Sequence, residues 1–122
     1  MKFHLQAPAA NVIAALGPGW VRIGTSEYRE NVVVTPDAVV TGWAPSGFAA
    51  LTEQDFTALL AHEPEIVLLG TGAKQQFPHP QLTTALFAAR VGIEVMDTRA
   101  ACRTFNILVA EGRRVVAAMI IE

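Results

Sequence analysis

The chain has 122 residues and a formal net charge of -2, with 52% hydrophobic and 16% charged residues. That is the length of one ordinary domain with a core of its own, and the composition excludes disorder. No apolar run approaches the roughly 20 residues that span a bilayer, Met1–Pro8 lacks the apolar stretch of a signal peptide, and the acidic balance gives no case for nucleic acid.

A single α/β domain over residues 1–122, in the cytoplasm and without a membrane or nucleic-acid partner, is therefore expected. Cys102 is the one cysteine, so neither an internal disulfide nor a thiolate metal framework is available. The charge is uneven. Residues 1–65 carry seven acids and three bases, and residues 66–122 carry four acids and six bases. Any anion-seeking surface belongs to the second half.

In chain order, Trp20–Gly24 alternates as a half-buried strand does. Asn31–Val34 and Ala38–Trp43 are β-branched runs separated by Thr35-Pro36-Asp37, a turn in which Pro presets φ and Asp can bond its own backbone. They read as a β-hairpin, ended by Pro45-Ser46-Gly47. Thr52 is the expected N-cap of a first helix, with Asp55 at its third position and Phe56, Leu59 and Leu60 on its apolar side. That helix should stop near His62–Pro64. Glu65–Leu69 is a short continuous apolar run, as in a strand buried on both faces.

Pro78 and Pro80 precede a second helix whose Leu82, Ala85, Leu86 and Ala89 make one stripe, with Gly92 as its stop. Ile93–Met96 is the next strand. Thr98 is the expected cap of a third helix that turns Ala101, Phe105 and Leu108 to the core and ends at Gly112. Val115–Ile121 is the final strand. Alternation of strands with helices of about ten residues implies βαβ crossovers. The expected fold is three-layer α/β, with a mixed central sheet of mainly parallel β-α-β units and an N-terminal antiparallel hairpin.

Ligands of such sheets bind beyond the carboxyl ends of the parallel strands. Two loops qualify, Gly70-Thr71-Gly72-Ala73-Lys74 and Asp97-Thr98-Arg99. If their strands are neighbours, the loops flank one crevice, where glycine admits a close ligand and a helix start offers N–H groups to an anion. Arg99, Arg103 and Asn106 form a polar stripe opposite the apolar face of the third helix. The candidate ligand-binding residues are thus Gly70, Thr71, Gly72, Lys74, Thr98, Arg99 and Arg103. Plainer roles fit the same residues: a tight strand exit for Gly70–Gly72, a solvated Lys74, and surface or ion-paired Arg99 and Arg103. The loop is neither a P-loop nor G-x-G-x-x-G, since Gln75 stands where the third glycine would be. His4, His62 and His79 do not cluster, so no metal site and no cofactor are expected. Cys102 fits a buried helix position better than a nucleophile. No catalytic residue can be named.

The ordered set Ile66–Gly72, Pro78, Gly92–Thr98, Ala101, Thr104–Leu108 and Glu111–Val115 resembles a widespread family of unknown function. Ile23, Tyr28, Val32–Val34, Pro36 and Trp43 extend the likeness over nearly the whole chain. That family includes the mitochondrial respiratory complex I assembly factor 3 and small uncharacterised bacterial and archaeal proteins. The resemblance implies a three-layer fold and, for function, a non-enzymatic protein-interaction or assembly-assisting module with an unidentified protein partner. The alternative carried by the residues is a protein that binds a small anion or phosphate-containing ligand in the crevice, with or without turnover.

Overall fold

The computed structural model describes residues 9–122, so Met1–Pro8, with His4, lies outside the described residues. Among the described residues, eight strands and three α-helices follow in chain order: β1 Ile13–Gly17, β2 Trp20–Ile23, β3 Ser26–Tyr28, β4 Val32–Thr35, β5 Ala38–Thr41, α1 Glu53–Thr57, β6 Ile66–Gly70, α2 Thr84–Ala88, β7 Gly92–Met96, α3 Thr98–Ala110 and β8 Val115–Met119. Short 3-10 turns at Phe48–Ala50, Ala58–His62 and Pro80–Thr83 join them.

The central sheet has the order β5-β4-β8-β6-β7. β6 runs parallel to β7 and to β8, and β4 runs antiparallel to β8 and to β5. The expected mixed sheet with parallel β-α-β units is therefore present, and the β4–β5 hairpin sits beside β8 at one edge. β1, β2 and β3 form a second, antiparallel sheet of three strands. Of that sheet only β2 was expected, because Ala14, Ala15 and Leu16 lack the β-branched pattern of a strand.

Alternation along the central strands divides the core. Val32, Val34, Leu68, Ala117 and Met119 turn to one face, where Ala101 and Phe105 of α3 and Ile13, Val21 and Ile23 of the small sheet cover them. Val33, Val67, Leu69, Val116 and Ala118 turn to the other, under Trp43, Phe56, Leu59 and Leu86. Phe56 and Phe105 are fully buried, each contributing about 1.5–3 kcal/mol. Trp43 meets Phe56 edge-on at 6.3 Å, and its indole N–H donates to the Asp55 carbonyl at 2.9 Å.

The helix ends bear out some expectations and correct others. Thr52 caps α1 in a reciprocal capping box with Asp55. Gly112, at φ 77°, ends α3, with its N–H bonded to Val109 and that of Arg113 bonded to Leu108. Gly92 does not end α2. Arg90, at φ 59°, does so, and Gly92 opens β7. Thr98 does not cap α3 either. Asp97 is the N-cap, its carboxylate accepting the Ala100 N–H at 2.9 Å, and this frees the Thr98 hydroxyl for another task.

Candidate functional site

Because β6, β7 and β8 are parallel, their carboxyl ends meet at one end of the sheet. Thr98, the first residue of α3, ties those ends together. Its hydroxyl donates to the Ile120 carbonyl at 2.7 Å and accepts the Gly72 N–H at 2.8 Å, while its own N–H donates to the Gly72 carbonyl at 2.9 Å. Gly70 allows the approach, since a Cβ there would lie 3.0 Å from the Thr98 hydroxyl oxygen and 3.2 Å from Ala101 Cβ. The loop after β6 is also closed on itself. Thr71 donates its hydroxyl to the Lys74 carbonyl at 2.6 Å and accepts the Gln76 N–H at 3.1 Å.

A crevice of about 520 Å³ opens beside this knot. One wall is Gly72, Ala73, Asp97, Thr98 and Arg99, and the other is Leu16, Gly17 and Pro18 from the β1–β2 turn, with Ile120 and Glu122 at its side. Of the seven expected site residues, Gly72, Thr98 and Arg99 line it. Gly70 and Thr71 lie behind the lining as packing and hydrogen-bonding residues. Lys74 is exposed outside it. Arg103 lines a neighbouring groove with Arg99, Cys102, Asn106 and Ile13–Leu16. The crevice therefore brings Arg99 to the Gly72 loop and leaves Arg103 and Lys74 apart. Among the described residues, no carboxylate lies within ion-pair distance of any of these three bases.

Three backbone amides of the loop are already engaged. Thr71 N–H bonds the Met96 carbonyl, Gly72 N–H the Thr98 hydroxyl, and Ala73 N–H the Glu122 side-chain carboxylate at 3.0 Å. Gly72 has φ 94°, which favours glycine, and a Cβ on it would push the Glu122 carboxylate aside. An internal carboxylate thus occupies the place expected for an outside anion. Glu122, Ile120 and the Leu16–Pro18 turn are the lining residues that sequence reasoning missed. The Gly-Pro-Gly turn signal at 17–19 was there to be read, but nothing in the sequence tied it to the Gly72 loop.

Cys102 is buried, with its sulfur 3.8 Å from that of Met119. Burial pushes its thiol up to about 11, against the pull of the Arg99 and Arg103 charges, so the reactive thiolate is scarce near neutrality. His79 accepts the Gln81 N–H as the cap of a 3-10 turn. Among the described residues, no three His, Cys, Asp or Glu side chains converge on a metal-sized site. No described helix is long and apolar enough to cross a membrane.

Fold and crevice define a class, a three-layer α/β domain in which a mixed sheet carries a second small antiparallel sheet and its parallel strand ends meet at a helix start. The chain belongs to the family described as "Protein of unknown function (DUF498/DUF598)", whose profile matches residues 13–120. It is 41% identical over 90 residues to the NADH dehydrogenase [ubiquinone] 1 alpha subcomplex assembly factor 3 of Mus musculus, over 72% of this chain and 48% of that protein. The chain thus spans about half the length of the mammalian relatives it matches first. Its fold is similar to a crystal structure from Bordetella parapertussis, with TM-score 0.86 and 37% identity over 96% of this chain and all of that one. It is also similar to a structure from Bartonella henselae described as an outer membrane protein, with TM-score 0.82 and 29% identity over 93% and 97% of the two chains.

Proposed function

We propose that this chain is a non-enzymatic protein-interaction module that assists assembly of a larger complex, and that it works in the cytoplasm. The observation that carries this reading is the 41% identity to a protein named as a complex I assembly factor. Phe77 and Ile107 are 74% and 58% exposed and are the side chains on which a partner contact is tested. The test is affinity capture of the tagged chain from native lysate, beside Phe77→Ser and Ile107→Ser variants. A stable partner held by the wild type and lost by a folded variant is expected. Turnover of a metabolite by the purified protein alone would overturn the reading.

One observation favours a second reading, a small-anion site in the crevice. Arg99 lines it without a carboxylate partner, and its N–H is the first-turn amide of α3 for which no acceptor is found among the described residues. Glu122 competes for the Ala73 N–H, so Glu122→Gln should strengthen the binding of phosphate or a carboxylate and Arg99→Ala should abolish it. Thermal shift with millimolar phosphate, nucleotide and carboxylate reads both effects. An unchanged midpoint in wild type and Glu122→Gln alike would sink this reading.

A further inference from the structure

We propose that β7 is a self-association edge, through which two copies of this chain pair antiparallel about a two-fold axis at Ile93 and join their central sheets into one. The inference is independent of the assembly role. Among the described residues, β7 has β6 as its single neighbour in the sheet. The Thr71 N–H donates to the Met96 carbonyl, so in the parallel ladder the backbone groups of Gly92, Glu94 and Met96 turn toward β6 and those of Ile93 and Val95 turn away. The Val95 carbonyl is taken by the Gln75 side-chain amide at 2.9 Å. Ile93 N–H, Ile93 C=O and Val95 N–H have no partner among the described residues.

Pairing about Ile93 satisfies these groups. The two Ile93 residues exchange N–H and C=O, and each Val95 N–H meets the Val91 carbonyl of the other copy. The remaining groups of such a ladder are Val91 N–H and Val95 C=O. Both are bonded within the chain already, Val91 N–H to the Leu86 carbonyl at 2.9 Å and Val95 C=O to Gln75. An unrelated strand presents an N–H opposite Val95 C=O, where Gln75 stands. A second copy presents Val91, whose N–H is turned inward. The side chains agree. Glu94 falls opposite Gly92 rather than another Glu94, with Arg90 two residues beyond, so like charges do not face each other. Phe87, the most exposed large apolar side chain among the described residues, lines with Val91 and Gly92 a groove of about 500 Å³ at this edge, which the second copy would cover.

Sedimentation velocity of the full chain at about 10 and about 500 µM tests the proposal, with a dimer fraction that rises with concentration expected. Ile93→Pro removes the outward N–H and spares the ladder to β6, at the cost of a side chain that packs against the core. Phe87→Asp changes a side chain that packs on almost nothing. Each should weaken the dimer about tenfold or more with unchanged circular dichroism. If Ile93→Pro fails to fold, Phe87→Asp alone decides. A wild type that stays monomeric at about 500 µM, or a dimer indifferent to Phe87→Asp, overturns the proposal. So does a monomer that binds an extended peptide at this edge.

Discussion

Arg90 and Gly112 occupy the same place in two helices. Each is the left-handed residue just past the helix end, at φ 59° and 77°. Each is followed by an N–H that reaches back five residues, Val91 to Leu86 and Arg113 to Leu108. Only the second stop was legible, because glycine announces a left-handed position and arginine does not. A side chain there costs roughly 1–2 kcal/mol. Arg90→Gly should therefore raise unfolding stability by about 1 kcal/mol, and Gly112→Arg should lower it by a similar amount, in urea melts of dilute protein. A neutral or destabilising Arg90→Gly would show that the backbone there is not strained.

Thr98 carries a related lesson. Sequence spacing made it a cap, and the structure makes it the tie between three strand ends. Thr98→Val keeps the shape but strands the Gly72 N–H and the Ile120 carbonyl, both buried. A loss of about 2 kcal/mol or more is expected, with most of it recovered in Thr98→Ser. Equal urea midpoints for Thr98→Val and wild type would remove Thr98 from that role.

At the scale of elements, asparagines hold what the strand pattern does not specify. Asn106 on α3 accepts the Ile13 N–H at 2.8 Å and donates to the Ile13 carbonyl at 2.9 Å, which docks β1 on the helix as a neighbouring strand would. Asn31 likewise accepts the Ile121 N–H and donates to the Ala44 carbonyl. The β4–β5 hairpin, β6 and the capped α1 could be read from periodicity because local chemistry determines them. β1 could not, since its partners are β2 and a side chain 93 residues away. Asn106→Leu should unseat this sheet while the central one stays closed. Hydrogen exchange should speed over residues 13–28 and remain slow over β6 and β8. Uniform acceleration would mean that the two sheets open as one unit.

Over the whole molecule, the two ends of the central sheet do different work. The end with the crevice gathers Thr98, Arg99 and Glu122, and its position followed from parallel order, whereas its occupant, Glu122, did not. The opposite end is closed by charge. Arg114 donates to the Asp37 carboxylate at 3.0 Å and to the His62 carbonyl at 3.0 Å, and its N–H donates to Glu65 at 2.9 Å. Arg113 reaches Glu65 at 3.1 Å.

The Thr35 hydroxyl and then Arg114 hold the Asp37 carboxyl below its ordinary 3.8. The Arg114 N–H and then Arg113 hold Glu65 below 4.5. A carboxylate whose folded pKa is depressed adds stability above its unfolded pKa, and that stability is lost as pH falls through the folded value. The β4–β5 turn, the start of β6 and the start of β8 should therefore loosen together on acidification below about pH 4.5, and no loss should come from these groups above it. Both carboxylates are solvent-exposed, so added salt should shrink the effect. The double variant Asp37→Asn, Glu65→Gln should be less stable near pH 7, and its urea midpoint should fall less steeply than that of wild type toward about pH 3. Parallel curves for the two proteins would place the acid sensitivity elsewhere, and the pairs at this end of the sheet would then be surface contacts without a share in stability.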